Sequence, residues 1–538
     1  MVDHTLILEA LKASAVGKIV ADIGPRPGDL TVRLENRDDL TGAAEMLVTQ
    51  YAMALATLVA TDETAMADGD LKVHYVFEPT KPDAPDQFVT LLVSVDADKP
   101  DVPSLTTLIP AANWHEREMR DLFGIVPLNH PDPRTLVVHD GWPPGVFPLR
   151  KAFDGTQRVA VEAAEEFPHM LTEGEGVFEI PVGPIHAGII EPGHFRFTSV
   201  GEKVLLLDAR LFYTHRGLEK QMEGRSPLDA FYLAERICGV CSVAHGLGYC
   251  EALEQIAGAD VPSRARLVRG IALELERLYN HVGDVGNVCA GAAFHYGTAT
   301  GARLKERLQQ MNERVAGNRF LRGIVIPGGV SLDLPGHLVE FIGITLQETL
   351  TDFDNLMERI DANPSVVERF DDTGILHRQA AADLAVAGVA ARASGVDRDA
   401  RRDHPHGAFA NANPPKLKVM TATAGDAMAR VQVRAMEVRE SVRLIEEFAR
   451  RLRPGPLRVP LADPLPGGRI GLSAIESPRG EAVHWLRLDA AGRVDRYHLR
   501  SPSYHNWPAV ALAAETAIVP DFPLVNKSFE LCYSCTDR

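Results

Sequence analysis

The chain has 538 residues, a formal net charge of −17 and 45% hydrophobic residues, enough for two or three domains around a large core. That charge disfavours nucleic acid and anionic membrane as direct partners. No apolar run approaches the roughly 20 residues a membrane span needs, and Met1-Val-Asp-His lacks the basic and apolar regions of a secretory signal.

The segment to residue 153 reads as a small α+β domain. Val73, Tyr75 and Phe77 alternate along Leu71–Phe77, the period of a half-buried strand, and Phe88–Val95 is a second, more continuously apolar strand. Leu40–Ala60 is helical in composition, and the Pro- and Asp-rich run Pro79–Asp86 joins the two strands. Trp114-His-Glu-Arg-Glu-Met-Arg-Asp-Leu-Phe-Gly124 reads as a charged helix. It leads to His130-Pro-Asp-Pro-Arg134, Gly141-Trp and Pro148-Leu-Arg-Lys151. Residues 154–176 form an acidic linker with Glu162, Glu165, Glu166, Glu173 and Glu175 and little apolar periodicity.

Residues 177–538 form a mainly helical region with a small β part. Val177–Val182 and Phe195–Phe212 read as strands, broken by the loop Gly183-Pro-Ile-His-Ala-Gly-Ile-Ile-Glu-Pro-Gly-His194. Ser263 caps a helix striped by Leu267, Ile271, Leu275 and Leu278, and Leu304, Leu308, Met311 and Val315 mark another that stops at Gly317. Leu338–Ile360 is a longer stripe. Met428–Leu452 is the longest, capped by Asp426 and ended by Pro454. Such stripes are the packing faces of a helical bundle, so the chain as a whole is α+β, a small domain followed by a bundle.

The chemistry lies in two Cys-x-x-Cys pairs, Cys238 with Cys241 and Cys532 with Cys535. Two intervening residues let one turn aim two sulfurs at one point, and thiolates select zinc, iron–sulfur, copper(I) or nickel–iron chemistry. Zinc motifs close loops of roughly 12–20 residues, whereas these pairs enclose most of the second region. Spacing alone leaves a structural four-cysteine zinc site open. Of the 6 cysteines, Cys250 and Cys289 are isolated and read as small buried apolar residues, a usage that suits a reducing cytoplasm.

The residues around the pairs carry a resemblance. Thr214-His-Arg-Gly-Leu-Glu-Lys220, Gly224-Arg-Ser-Pro-Leu-Asp-Ala230 and Glu235-Arg-Ile-Cys-Gly-Val-Cys241 through His245 resemble the first metal-binding motif of the large subunit of nickel–iron hydrogenases. Cys532-Tyr-Ser-Cys535 followed by Arg538 resembles the second. The series from Trp114 to Lys151 is similar to the 30-kilodalton subunit of respiratory complex I, a docking module without a cofactor. Pro327-Gly-Gly-Val330, Ala391–Pro405, Ser477-Pro-Arg-Gly480 and Pro520-Asp-Phe-Pro523 are similar to the complex I 49-kilodalton subunit and the hydrogenase large subunit. The fused order, with four motif cysteines, is most similar to the formate hydrogenlyase and hydrogenase-4 group.

That resemblance implies a membrane-associated [NiFe] hydrogenase interconverting H2 with protons and electrons. Cys241 and Cys535 would bridge nickel to an iron carrying cyanide and carbon monoxide, with Cys238 and Cys532 terminal on nickel. Cys532 would take the proton from hydrogen, Glu191 of Glu191-Pro-Gly-His194 would pass it on, and Arg479 would hang over the metals. Glu219 of the Arg-Gly-x-Glu segment would bind magnesium; an exposed helix glutamate is the other reading. His245 would hydrogen-bond a sulfur; a satisfied core histidine is the other reading.

With four cysteines committed and two isolated, none remain for an iron–sulfur cluster. The implied partners are therefore a small subunit with a [4Fe-4S] cluster and an integral-membrane arm. Formate dehydrogenase is the implied source of electrons through an electron-transfer subunit, with carbon monoxide as another donor. The chain would then sit peripherally at the cytoplasmic face of the cytoplasmic membrane. Two alternatives stand beside this: a complex I-like electron-transfer scaffold without hydrogen chemistry, and the zinc protein. One departure is visible: Glu530-Leu531 precedes Cys532 where the widespread motif has Asp-Pro. The stop at Arg538 leaves open whether a peptide was removed there.

Overall fold

A computed structural model describes residues 4–13, 19–26, 28–66, 69–82, 84, 86–161, 167–170, 172–187 and 190–538. Glu162, Glu165 and Glu166 of the acidic stretch lie outside them, while Glu173 and Glu175 are exposed and belong to no helix or strand.

The N-terminal part is a five-stranded sheet of β1 (Ile19–Ile23), β2 (Leu30–Leu34), β3 (Met53–Asp62), β4 (Leu71–Pro79) and β5 (Val89–Val95), in the order β1-β2-β5-β4-β3. β2 and β5 run parallel, and the other neighbours run antiparallel. Helix α1 (Leu40–Thr49) takes only the first half of the run expected to be helical, and the rest is β3. Nine of the ten β3 residues are buried, so the strand shows no alternation, and a continuous apolar run cannot be told from a helix by period alone. Helix α2 (Ala112–Phe123) ends at Gly124, whose φ of 73° is the left-handed stop favoured by glycine.

The β part of the second region is β6 (Val177–Val182), β7 (His194–Val200) and β8 (Lys203–Arg210), an antiparallel sheet. The bundle follows: α3 (Ser242–Ala257), α4 (Ser263–Gly291), α5 (His295–Ala316), α6 (Gly336–Asp361) and α7 (Ala427–Arg451). α4 starts at Ser263, with Pro262 as its cap residue. α5 stops at Gly317, and Asp426 caps α7 by accepting from the Ala429 amide at 2.7 Å. Residues 470–500 add a three-stranded antiparallel sheet that the helical reading of this region did not anticipate: β9 (Ile470–Ser477), β10 (Gly480–Leu488) and β11 (Val494–Arg500). Short helices α8 (Phe522–Phe529) and α9 (Tyr533–Asp537) close the described chain.

The two parts share their interior. Ala56, Val59, Val76 and Phe88 pack with Leu472, Val483 and Trp485 between the first sheet and the last. The larger N-terminal core runs on through Phe195, Trp507 and Val525 to Tyr533. Polar residues reinforce the junction. His404 lies between Asp86 at 2.7 Å and Glu78 at 3.0 Å, stacked on Phe88. Burial opposes its charge, but hydrogen bonds to Asp86 and Glu78 outweigh that and raise its pKa from 6.5 to about 9.

A folded pKa above the unfolded value means stabilisation that is full below about 6.5 and lost as pH rises through about 9. The melting temperature of His404→Gln should therefore fall furthest below wild type near pH 6. The two should converge above pH 9 in a pH series of thermal melts; a pH-independent difference would remove His404 charge as the cause.

Candidate metal centre

Cys238 and Cys241 sit on the turn that enters α3, and Cys532 and Cys535 on the turn that enters α9. Both turns use the same device: the first sulfur accepts the amide N–H of the fourth residue, at 3.3 Å for Cys238 and 3.4 Å for Cys532. The two sulfurs nonetheless differ: Cys241 opposes the shift, but hydrogen bonds with Cys532 and Cys535 lower Cys238 to about 7, whereas contact with Cys238 raises Cys532. Glu276 of α4 reaches across to accept the amides of Val243 at 2.7 Å and Ala244 at 2.9 Å, satisfying orphan donors of the first turn of α3. Burial pushes its pKa up to about 8 despite these bonds.

The turns meet. Cys238 Sγ lies 3.0 Å from Cys535 Sγ, far beyond the roughly 2.05 Å of a disulfide, and all six cysteines are free. Cys238, Cys241, His245 and Cys535 bring ligand atoms within 4.8 Å of one another, all buried. His245 Nε2 is 3.1 Å from Cys535 Sγ, so the histidine does touch a sulfur, while its buried Nδ1 has no partner. Cys532 stands just outside this group and is half-buried. The thiols divide their protons unevenly. Hydrogen bonds from Cys238 and Cys535 pull Cys241 down to about 6, whereas contacts with Cys238, Cys241 and Cys532 push Cys535 well up. Three converging thiols with a histidine beside them, and Cys532 at the edge of the group, fit a thiolate-bound metal centre, nickel–iron included.

Cys238 and Cys532 open onto a cavity of about 380 Å³ also lined by Glu191, Arg479, Glu530 and Ser534. Arg479 stands in the tight turn between β9 and β10. There Gly480, at φ 128°, approaches the Gly388 backbone so closely that a Cβ would lie 2.6 Å from its nitrogen. The guanidinium is held bidentate by Asp284, Nη1 to Oδ2 at 2.8 Å and Nη2 to Oδ1 at 3.1 Å, with Glu530 4.0 Å away. Burial disfavours this charge, but Asp284, then Glu530 and the thiols of Cys241 and Cys532, hold its pKa above the ordinary arginine value. Burial also pushes Glu530 up to about 7.

Glu191 binds the second motif itself. Its carboxylate accepts the Ser534 amide at 2.9 Å and the Ser534 hydroxyl, between Cys532 and Cys535. Gly193 allows that approach, since a Cβ there would lie 2.7 Å from the Tyr533 ring. Tyr533 packs on Trp507, and Trp507 on Phe195 of β7, which ties the loop and the motif to one aromatic stack.

Glu219 is away from this cavity and is buried, not an exposed helix glutamate. Arg496 at 2.7 Å, Arg538 at 2.9 Å and His498 at 3.2 Å surround its carboxylate, and the Leu499 amide donates to it. Burial disfavours the carboxylate charge, yet these neighbours hold its pKa well below the ordinary value. Two guanidiniums already balance the charge a divalent cation would need, so the magnesium assignment of Glu219 does not fit this chain.

Sequence reading missed Asp284, Glu276 and Ser534, and saw in Glu530 only a departure. The signal for Asp284 was there: Glu274, Arg277, His281 and Asp284 step by three and four along α4, and all are buried. They belong to a fully buried ion network in which Glu274 meets Arg401, His281 meets Glu437, and Arg392 joins Glu437 to Glu476. Removing one partner there leaves an uncompensated buried charge, so the network fixes α4 and α7 in register.

Formate hydrogenlyase subunit 5 of Escherichia coli is 34% identical over 99% of this chain and 93% of its own length. The chain belongs to the large-subunit family of complex I-related nickel–iron hydrogenases. Hydrogenase-4 component G of the same organism is 34% identical over 99% of the chain and 92% of its own. The carbon monoxide-induced hydrogenase of Rhodospirillum rubrum is 33% identical over 67% of the chain and 99% of its own. Three family descriptions divide the sequence: the 30 Kd subunit of respiratory-chain NADH dehydrogenase over 34–159, nickel-dependent hydrogenase over 216–284, and the 49 Kd subunit over 291–466 and 464–538. The family's fused order and its hydrogenase motif thus agree with the sequence reading. Among the described residues no helix is long and apolar enough to cross a membrane.

Proposed function

We propose that this chain is the subunit that activates hydrogen in a membrane-associated hydrogenase complex, with Cys238, Cys241, Cys532 and Cys535 as the ligands of its nickel–iron centre. The observation that carries the reading is the 3.0 Å approach of Cys238 and Cys535, 297 residues apart in the chain, as free thiols beside His245. By motif position Cys238, Cys241, Cys532 and Cys535 would together hold the two metals. When bound, the centre, its iron carrying cyanide and carbon monoxide, would supply soft, redox-active Lewis acids for heterolytic cleavage of H2.

The residues of the chain then handle charge and protons. Cys532, on the cavity wall, accepts a proton at Sγ, and Glu191 takes it at a carboxylate oxygen. Ser534 orients that carboxylate by donating both its amide and its hydroxyl. Arg479 presents a fixed positive charge to the cavity, anchored by Asp284. Overall H2 gives two protons and two electrons. The electrons leave to a [4Fe-4S] cluster in a partner small subunit, since the two remaining cysteines, Cys250 and Cys289, are buried and lie outside the group of Cys238, Cys241, His245 and Cys535. We read residues 1–153 as the part that docks neighbouring subunits, 154–176 as the linker and 177–538 as the catalytic part. An integral-membrane arm would hold the complex at the cytoplasmic face. The name formate hydrogenlyase of one relative supports formate as the distal electron source; a formate dehydrogenase as its route, and carbon monoxide as the other donor, rest on the resemblance alone.

Metal analysis of the purified complex tests the reading directly: nickel with iron supports it, and zinc or no metal overturns it. The proton route has its own test. Glu191→Gln can still accept the Ser534 amide and, with that bond reversed, donate to the Ser534 hydroxyl, but it cannot carry a proton. It should retain nickel and iron while hydrogen–deuterium isotope exchange falls by about 10²–10⁴-fold, the scale of a lost general acid–base. Wild-type exchange in that variant would send the proton elsewhere.

A further inference from the structure

The cluster of Glu118, Glu219 and His498 brings ligand atoms within 4.8 Å of one another in a fully buried place. Such a cluster invites a cation, and the chain supplies one. The Arg538 guanidinium donates from Nη2 to Glu118 and from Nη1 to Glu219 at 2.9 Å and the Leu499 carbonyl at 2.8 Å. Its carbon lies 5.0 Å from the centre of the Tyr504 ring. Glu219 is shared with Arg496 and His498, so Glu118 is the carboxylate that Arg538 does not share with another cation on this cluster. Glu118 comes from α2, in the N-terminal region that matches the complex I 30 Kd subunit; Arg538 closes the segment that carries Cys532 and Cys535.

We propose that Glu118 is a positioning residue for the metal centre: its ion pair with Arg538 locks the Cys532–Cys535 segment in place, so that the N-terminal domain is part of the clamp on the metal and not a docking module alone. The inference rests on reading Cys532 and Cys535 as ligands.

The physical case is simple. α9 has five residues, too few to hold a helical turn in water by itself. Its place is set by side-chain anchors. Ser534 binds Glu191, Asp537 accepts from the Phe212 and Thr214 amides at 3.0 and 2.9 Å, and Arg538 binds Glu219 and Glu118. Among these the Arg538 pair is the contact that crosses from the N-terminal domain. Without Glu118, Arg538 keeps the Leu499 carbonyl and a Glu219 carboxylate that it shares with Arg496 and His498, so its buried charge is less compensated and the segment carrying the two cysteines is held less firmly. Closure of the thiol site therefore depends on the N-terminal domain being folded against the catalytic part.

The test uses the intact complex and the variants Glu118→Gln, Arg538→Gln and their combination, read by amide hydrogen exchange over residues 531–538 and by nickel retained after a chelator wash. Each single variant should speed tail exchange about tenfold and lower nickel retention on a similar scale, as loss of an outer partner of a metal site does. The double variant should be no worse than Arg538→Gln alone, because that variant already removes the Glu118 contact along with those to Glu219 and Leu499. Glu118→Asp should restore most of both signals. Wild-type tail exchange in Glu118→Gln, or additive effects in the double, overturns the lock. If Glu118→Gln also loosens exchange across residues 53–95, Arg538→Gln decides. A loosened tail beside a protected N-terminal sheet supports the lock, and an unchanged tail overturns it. A loosened tail with full nickel overturns the positioning role, and the ligand reading is then judged separately by the nickel content of Cys535→Ser.

Discussion

Replacing Cys535 by serine is expected to strip the protein of nickel and bring hydrogen-dependent dye reduction below about 1% of wild type. A lost outer partner of a metal ligand costs roughly 10–100-fold in affinity, and loss of the ligand costs more. Cys535 is the most exacting choice among the four because its sulfur touches both Cys238, at 3.0 Å, and His245, at 3.1 Å. A serine hydroxyl keeps the size of the side chain, but it is a hard, weakly acidic donor where the site offers soft sulfur. The fold should survive, since Tyr533 still packs on Trp507 and Asp537 still binds the Thr214 segment. Metal content and activity measured on the same preparation separate loss of the centre from loss of the chain. Full nickel with full turnover in Cys535→Ser would remove this cysteine from the ligand set.

Arg479→Lys should do the opposite: keep nickel and iron, and lose about 10² in turnover, the low end of what a positioned proton-transfer or charge-stabilising group contributes. The reason lies in the shape of the contact. Asp284 grips both terminal nitrogens of Arg479, at 2.8 and 3.1 Å, which aims the planar guanidinium across the cavity wall. An ammonium makes a single point contact on a flexible stem and sheds its proton more easily when buried. The thiols stay tied to their own turns and to His245, none of which depends on Arg479, so loading is unaffected. Near-native turnover with Arg479→Lys would reduce the residue to a hairpin corner.

Much of the site was legible because it is local. Each Cys-x-x-Cys pair is one turn before one helix, so residue types and spacing were enough to mark the sulfurs. The long stripes were legible for the same reason: Asp426 caps α7 where the period begins, and Gly317 ends α5 where it stops. Local signals failed where burial erased them. β3 is buried on both faces, so its run read as helix, and the sheet of residues 470–500 passed unnoticed, its strands buried almost throughout.

What the sequence by itself determined, then, was the chemistry available: four soft sulfurs in two turns, an arginine between a proline and a glycine, and a glutamate ahead of Pro-Gly-His. Those depend on neighbours a few residues away. Which groups those residues meet was decided by the tertiary structure alone. Asp284 reaches Arg479 across 195 positions and Glu191 reaches Ser534 across 343. Glu219 turned out to be paired with Arg496 and Arg538 and so unavailable to magnesium, although its motif suggested an ion. A buried charge is stable only beside its counter-charge, and a chain folded back on itself draws that counter-charge from anywhere along its length. Local pattern can name the charged residue; only packing can choose its partner.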